Sequence, residues 1–152
     1  MKDTITISRL TDITTLMDWR MEVLHCVFAD ASHADYDTLY RNNLDYYTRA
    51  IPAGDHIACL ALVDGESAGC GGVCMQRELP SPDNPSGKCA YLMNIYVRED
   101  RRHHGVGESI VAWLVEQARA AGAQKIYLET THAARSLYQS LGFTTMHDML
   151  KL

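Results

Sequence analysis

The sequence predicts an α/β fold, of the α+β kind, in which helices flank one mixed β-sheet, and two patterns carry that prediction. Apolar runs from Ile57 to Val63 and from Glu66 to Met75 flank Asp64-Gly65, a dipeptide that favours a two-residue hairpin turn. Farther along, residues 90–130 read as strand, helix and strand, a crossover that sets two strands parallel. A hairpin and a crossover in one short chain indicate a sheet with both kinds of pairing.

The first third of the chain supplies one strand and two helices. Apolar and polar residues alternate from Thr4 to Ser8, which is the pattern of a short strand. Asp12 is a suitable N-cap for a helix that continues to about Phe28, because apolar residues recur there at three- and four-residue spacing. The pattern over residues 35–50 predicts a second helix, and this helix should end at Pro52-Ala53-Gly54.

After the hairpin, the sequence predicts a loop and then alternating strands and helices. Three of the four prolines fall in the loop, whose length suits either a bridge between strands or a segment that faces a substrate. In order, these elements are a loop over 77–88, a strand over 91–97, a helix from Gly105 to Ala121, a strand from Lys125 to Thr130, a helix from Ala133 to Leu141 and a strand from Phe143 onward. Gly122 stands at the C-terminal cap position of the longest of these helices.

Composition narrows the class of protein. A length of 152 residues fits one domain over residues 1–152, no apolar run approaches the ~20 residues of a membrane span, and the N-terminus lacks a signal-peptide pattern. A net charge of -5 argues against a nucleic-acid partner. Five irregularly spaced cysteines suit a reducing compartment, so we expect a cytoplasmic protein. Cys70 and Cys74 have no second cysteine pair downstream, so we expect no metal site.

The strand at 91–97 leads into a glycine-bearing turn, Arg102-His103-His104-Gly105-Val106-Gly107, and then directly into a helix. Free N–H groups at a helix start, the helix dipole and the small glycines together suit a phosphate group, and Arg102 adds a permanent positive charge. A dinucleotide-binding unit is disfavoured because the turn follows a hairpin, and a kinase-type phosphate loop would need Gly-Lys-Ser/Thr. A turn without a ligand is the remaining alternative.

This turn is similar to the coenzyme A-binding fingerprint of the GCN5-related N-acetyltransferase (GNAT) superfamily, Arg/Gln-x-x-Gly-x-Gly/Ala after the fourth strand. A second segment, Ala134-x-x-Leu137-Tyr138-x-x-x-Gly142-Phe143, resembles the superfamily's Ala-x-x-Leu-Tyr-x-x-x-Gly-Phe element. The order of predicted elements agrees with the same fold along nearly the whole chain. The resemblance implies an acyl-CoA N-acyltransferase fold, with a central, mostly antiparallel mixed sheet of six or seven strands and about four helices.

The resemblance also implies acetyl-CoA as cosubstrate, lying where two neighbouring strands splay apart. The backbone of Ile95, Tyr96 and Val97 would pair with the pantetheine arm. The implied pyrophosphate contacts are the backbone N–H groups of Arg102, His103, His104, Gly105, Val106 and Gly107. The two histidine side chains themselves are either plain surface or phosphate contacts. Thr131 stands where many members carry an asparagine that contacts the cofactor arm.

Catalytic roles follow from the resemblance less completely. Tyr138 stands where the superfamily places its general acid, a role compatible with packing of its ring on the sheet. The backbone N–H of Val97 is the expected oxyanion donor. Some members use a glutamate on the fourth strand as general base, but residues 89–97 contain no carboxylate. The candidates for the base are therefore Glu22, Glu78, His25 and His132. Glu22 and Glu78 rank first, because the first helices and the loop after the third strand line the superfamily's acceptor site.

The leading hypothesis is an acetyl-CoA-dependent N-acetyltransferase that acts on a primary amine of a small molecule by direct attack in a ternary complex. A peptide acceptor stays open, and so does a homodimer, because no residue decides either question. The alternative is a non-catalytic acyl-CoA sensor, motivated by the missing carboxylate. Four tyrosines on the second helix either wall an amine pocket or pack that helix on the sheet: Tyr36, Tyr40, Tyr46 and Tyr47.

Overall fold

A computed structural model describes residues 2–30 and 33–152, which form five strands, four α-helices and one short 3₁₀ turn. In chain order the elements are β1 (Ile5–Leu10), α1 (Ile13–Val27), α2 (Tyr36–Ala53), β2 (His56–Val63), β3 (Glu66–Arg77), β4 (Lys88–Val97), the 3₁₀ turn (Glu99–Arg101), α3 (Val106–Ala120), β5 (Lys125–Leu128) and α4 (Arg135–Ser140). The predicted order of elements is therefore confirmed through α4. None of the described helices is both long and apolar enough to cross a membrane.

The strands form one mixed sheet in the order β1-β2-β3-β4-β5. Neighbours from β1 to β4 are antiparallel, and β4 and β5 are parallel, as the hairpin and the crossover predict. Asp64 and Gly65 both have positive φ, 50° and 84°, which is the backbone geometry of the tight turn expected between β2 and β3. The mixed, mostly antiparallel architecture is confirmed.

The strand predicted from Phe143 onward does not form in the described part of the chain, so the sheet has five strands rather than six or seven. Two local contacts occupy Phe143 instead. Its N–H donates to the carbonyl of Tyr138 (3.1 Å), and its ring meets the Tyr138 ring edge to face, with centroids 6.0 Å apart. Phe143 thus closes the end of α4.

The helices divide between the two faces of the sheet. On one face α3 buries Val106, Ile110 and Leu114, each no more than 1% exposed, against β2, β3 and β4. On the other face α1 and α2 pack against the sheet and each other. Side chains cap the starts of both helices. Asp12 accepts from the N–H of Thr15 in α1, and Asp35 accepts from the N–H of Thr38 in α2.

Helix α2 is longer than predicted. It continues through Pro52, which lies in the last turn, where a missing N–H removes only one intrahelical hydrogen bond. The helix ends at Gly54, whose φ of 76° is the left-handed conformation common at helix C-termini.

Glycines in β3 allow α3 to lie close to the sheet. A Cβ atom on Gly71 would lie 2.5 Å from Ile110 Cγ2 and 2.9 Å from Leu114 Cδ1, both well inside van der Waals contact. The lack of a side chain at Gly71 therefore sets the height of the helix above the strands.

We predict that Gly71→Ala lowers the free energy of unfolding by about 1–3 kcal/mol, because the new methyl group overpacks the interface with α3. Urea denaturation measures the change. Ser67→Ala in the same strand is the control, since it adds no volume and should change stability by less than about 0.5 kcal/mol. Equal stability of both variants would show that α3 does not approach β3 this closely.

Candidate active site

A cleft opens where β4 and β5 part. The two strands pair over four residues only, from Cys89 opposite Lys125 to Leu92 opposite Leu128, and then diverge. The cleft between them encloses about 1000 Å³. Its walls come from the second half of β4, the loop before α3, the segment after β5, α4 and one side of α1. Every coenzyme A contact implied by the resemblance lines this cleft, with the exception of His104.

A β-bulge shapes the β4 side of the cleft. Cys70 pairs with Tyr96 and Gly72 with Met93, so one residue of β3 stands opposite two residues of β4. Asn94, one of those two, has a φ of 59°, a left-handed conformation that asparagine tolerates better than most residues. The bulge bends the strand away from regular pairing at the cleft.

The backbone of Val97 faces the cleft. The N–H of Arg98 donates to Ala68 on β3 (2.9 Å), and amides of successive strand residues point in opposite directions. The N–H and C=O of Val97 therefore point away from β3. Its carbonyl accepts a hydrogen bond from Nε of Arg102 (2.8 Å). The Val97 N–H is directed toward the same cleft.

The loop before α3 presents a row of free backbone donors. The N–H groups from His103 to Glu108 have no hydrogen-bond acceptor within the described ranges 2–30 and 33–152. Gly105 is the N-cap of α3 and has a φ of 86°, and His103 has a φ of 65°. Alternation of left- and right-handed residues at a helix start turns successive N–H groups toward one point, which suits a phosphate oxygen. The Arg102 side chain bounds the same cleft.

Gly107 is not required by the fold. A Cβ atom there would lie 3.6 Å from Leu137 Cδ2 and 3.8 Å from Val97 Cγ2, which are ordinary contact distances. Residue 107 is already in the first turn of α3, where alanine is favoured over glycine. A glycine at this place suits the close approach of a ligand to the helix backbone.

Tyr138 and Thr131 bound the opposite wall. The Tyr138 ring packs on Phe143, and burial raises the pKa of its hydroxyl, so the group is protonated at neutral pH. That hydroxyl has no hydrogen-bond partner among the residues that the structure describes. Thr131 Oγ1 accepts from the N–H of Ala134 (3.3 Å), which fixes the turn that leads into α4.

Both carboxylates ranked first as base candidates are ion-paired, beginning with Glu22. Its two oxygens accept from Nε and Nη2 of Arg98 (3.0 Å each), and the guanidinium lies 4.4 Å from the centre of the Trp19 ring. These hydrogen bonds from Arg98 hold the pKa of Glu22 below its usual value. A carboxylate so engaged is a weak proton acceptor.

Glu78 lies outside the cleft, at the opposite end of β4. It accepts from Asn84 Nδ2 (2.9 Å) and from Lys125 Nζ (3.1 Å), and these two hydrogen bonds lower its pKa. The structure therefore does not bring Glu78 to the predicted chemistry. His25, whose ring stacks on Tyr36 at 4.3 Å, and His132 are likewise not among the cleft residues.

A carboxylate that the sequence analysis missed does line the cleft. Glu129 directly follows β5 and makes no ion pair within the described ranges. Burial raises the pKa of the Tyr91 hydroxyl, and the negative charge of Glu129 beside it raises that pKa further. Tyr91 and Tyr127 face each other across the parallel pair, with ring centroids 5.0 Å apart, so strand alternation sets residue 129 on the same side.

The cleft also contains one arginine from the first helix. Arg20 donates from Nε to Asn43 Oδ1 (2.9 Å) and from Nη1 to Asn94 Oδ1 (2.8 Å). These bonds join α1, α2 and the bulge of β4 beside the cleft, which Arg20 and Asn94 both line.

The four tyrosines of α2 do not line the cleft. Tyr47 is buried, and Tyr46 shares a hydrogen bond with Nδ1 of His56 (2.8 Å). Burial lowers the pKa of His56 to about 4, with a smaller contribution from the positive charge of Arg20. These contacts agree with a packing role for Tyr46 and Tyr47, whereas Tyr40 is exposed.

We predict that Gly107→Ala weakens coenzyme A binding by about 10-fold or more, because the methyl group blocks the N–H donors of the loop. The variant should keep or slightly raise the melting temperature, since helix propensity improves. Calorimetric titration with coenzyme A and thermal unfolding measure the two effects.

Gly54→Ala, at the C-terminus of α2, is the control for Gly107→Ala. It should lose about 1 kcal/mol of stability through its positive φ and keep its coenzyme A affinity. Unchanged affinity in Gly107→Ala would mean that the loop does not hold the ligand.

Comparison with known proteins agrees with this architecture. The sequence profile of the acetyltransferase (GNAT) family matches residues 14–143. No curated protein matches the chain at a significant level of similarity.

Solved structures share the fold at low sequence identity. A predicted acetyltransferase of Clostridium acetobutylicum, solved with acetyl-CoA, superposes with a TM-score of 0.84 at 18% identity, over 98% of this chain and 96% of its own. A GCN5-related N-acetyltransferase of Ralstonia eutropha gives 0.79 at 18% identity, with 98% of each chain covered. Glucosamine-6-phosphate N-acetyltransferase of Arabidopsis thaliana gives 0.72 at 19% identity, over 98% and 97%. With most of its length matched by the family profile, the chain belongs to the GNAT acetyltransferase family.

Proposed function

We propose that the protein is an N-acetyltransferase that transfers the acetyl group of acetyl-CoA to a primary amine of a small molecule. The observation that carries the proposal is the row of unpaired N–H groups from His103 to Glu108, at the edge of a cleft that also contains Tyr138 and Glu129. Two similar folds support it, one solved with acetyl-CoA and the other an aminoglycoside N-acetyltransferase solved with CoA.

The cleft can hold acetyl-CoA in an extended form. The pyrophosphate would accept from the N–H groups of the loop, where the dipole of α3 adds partial positive charge. The pantetheine arm would run along Ile95, Tyr96 and Val97, on the edge that β5 no longer covers. This pairing would bring the thioester oxygen to the N–H of Val97, which can stabilise the charge that develops there.

The cleft contains both a proton acceptor and a proton donor for the reaction. Glu129 would take the proton from the acceptor ammonium, directly or through one water, so that the neutral amine attacks the thioester carbon. Tyr138, kept protonated by burial, would give its proton to the thiolate as the C–S bond breaks, and the second proton lost by the acylated nitrogen would restore the tyrosine hydroxyl. Both substrates would be bound together, and no covalent bond to the protein forms in this scheme.

Glu129 also bears on the alternative function. The acyl-CoA sensor hypothesis depended on the lack of a carboxylate on the strand over 91–97. Glu129 lines the cleft beside Tyr91 and makes no ion pair within the described ranges. Its carboxylate can therefore serve as the missing proton acceptor. The enzyme is therefore the better-supported function.

The direct test is product formation. Purified protein is incubated with acetyl-CoA and a panel of primary amines, release of the CoA thiol is followed, and the acetylated amine is identified by mass spectrometry. An N-acetylated product formed at a rate proportional to enzyme concentration supports the proposal. Failure of the folded protein to bind acetyl-CoA would refute it.

We predict that Glu129→Gln lowers kcat/KM for the amine by about 100-fold or more, the usual contribution of general base catalysis. Glu22→Gln and Glu78→Gln are the matched controls and should stay within about 3-fold of wild type, because each of these carboxylates is held in an ion pair. Steady-state kinetics at saturating acetyl-CoA measures the difference. A larger loss in either control than in Glu129→Gln would transfer the base role to that residue.

We predict that Tyr138→Phe lowers kcat by about 100-fold and leaves acetyl-CoA affinity within about 2-fold of wild type. The ring still packs on Phe143, so only the proton donor is lost. Since burial raises the pKa of Tyr138, wild-type activity should not fall until the pH exceeds the ordinary tyrosine value of about 10. Equal losses in kcat and in affinity would indicate a binding role instead.

A further inference from the structure

We propose that Arg20 forms an anion-binding subsite in the acceptor half of the cleft, so that the preferred acceptor is a primary amine that also carries a carboxylate or a phosphate. This inference rests on the proposed function and narrows it to a class of substrate. Nothing in the family assignment specifies the acceptor.

The charge of Arg20 is not neutralised by its neighbours. Its two hydrogen-bond partners, Asn43 and Asn94, offer neutral amide oxygens, and no carboxylate among the described residues lies within salt-bridge distance of it. Three other arginines each pair with a carboxylate: Arg49, Arg98 and Arg101. Arg20 is half-buried and lines the cleft, so an anion that enters there gains an interaction with little competing solvent.

The guanidinium is also held in one orientation. Asn43 donates from Nδ2 to the carbonyl of Leu39 (2.8 Å), which fixes its amide with Oδ1 toward Arg20. Asn94 is fixed by the bulge of β4. Of the five N–H donors of an arginine, the two on Nη2 make no hydrogen bond within the described ranges, and one on Nη1 is also free. A guanidinium held in place with free donors on one edge suits a carboxylate or phosphate.

The positions of Arg20 and Glu129 relate the two charges to each other. Glu129 lies beside Tyr91, and Arg20 is bonded to Asn94, three residues along β4. Both residues line the same cleft. An acceptor held by both therefore carries its amine and its anion on one molecule, as an amino acid or a short phosphorylated amine does.

The same arrangement disfavours polycations. A diamine with one ammonium at Glu129 would direct its second positive charge toward Arg20, and like charges at close range oppose binding. The tyrosines that could have formed a cation-binding wall lie outside the cleft. Opposite charges at the two ends of the acceptor site thus select a zwitterion.

Acceptors in matched pairs test the inference. One arm compares α-amino acids with their amides, and the other compares phosphoethanolamine with ethanolamine, each at saturating acetyl-CoA. We expect the anionic member of at least one arm to have the higher kcat/KM by about 10-fold or more, the effect of a charge-assisted hydrogen bond. The arm that shows the preference distinguishes carboxylate from phosphate.

Variants of Arg20 distinguish recognition of an anionic acceptor from a purely structural role, in which Arg20 only links α1, α2 and β4. Arg20→Gln should lower kcat/KM for the anionic acceptor by about 10- to 100-fold and leave the neutral acceptor and acetyl-CoA affinity within about 2-fold. Arg20→Lys, which keeps the charge, should retain part of the preference. Arg49→Gln removes the same charge from an exposed ion pair on α2 and should change neither acceptor.

Two results would overturn the inference while the proposed function stands. One is acetyl-CoA binding without a preference for the anionic member of any pair. The other is an equal loss for anionic and neutral acceptors in Arg20→Gln. If Arg20→Gln does not fold, the wild-type pairs and Arg20→Lys still decide the question. Absence of acetyl-CoA binding in calorimetry is the separate result that would overturn the proposed function itself.

Discussion

The rest of the structure depends on the shortness of the pairing between β4 and β5. Four parallel residue pairs hold β5 to the sheet, and beyond Leu92 no strand of the described residues lies beside this edge of β4. A backbone edge left in the interior must find hydrogen-bond partners, because unpaired N–H and C=O groups are costly away from water. The Asn94 bulge directs this edge into the cleft, and α4 and the loop before α3 close around it. An extended ligand would complete the pairing.

The two ends of the cleft obtain their charge in different ways. At the loop end the donors are mainly backbone N–H groups, which carry no net charge and need no counter-ion in the free protein. Elsewhere in the cleft the charges belong to side chains, Glu129 after β5 and Arg20 on α1. Backbone donors suit a cosubstrate common to the family. Side-chain charges on α1 and after β5 lie outside that loop, so under the proposed function the choice of acceptor depends on other residues than the binding of the cosubstrate.

Local sequence patterns predicted the hairpin, the glycine turn before α3 and most helix boundaries, because turn residues, caps and apolar spacing act over a few positions. What these patterns do not show are contacts between residues distant in sequence. Glu22, ranked first among the base candidates, pairs with Arg98, 76 residues away. Glu129 escaped notice because only the parallel register brings it beside Tyr91. In place of the strand predicted at Phe143, the described part of the chain has a contact between Phe143 and α4. The apolar pattern of the sequence alone does not reveal that contact.

One calorimetric comparison tests the central claim, that the N–H groups from His103 to Glu108 hold a pyrophosphate. The folded protein is titrated with acetyl-CoA and, separately, with acetyl-pantetheine, which has the thioester arm but lacks the pyrophosphate and nucleotide. The account predicts micromolar binding of acetyl-CoA and binding of acetyl-pantetheine weaker by about 100-fold or more, the loss of several charge-assisted hydrogen bonds. Equal affinities for the two compounds, or no binding of acetyl-CoA, would contradict it.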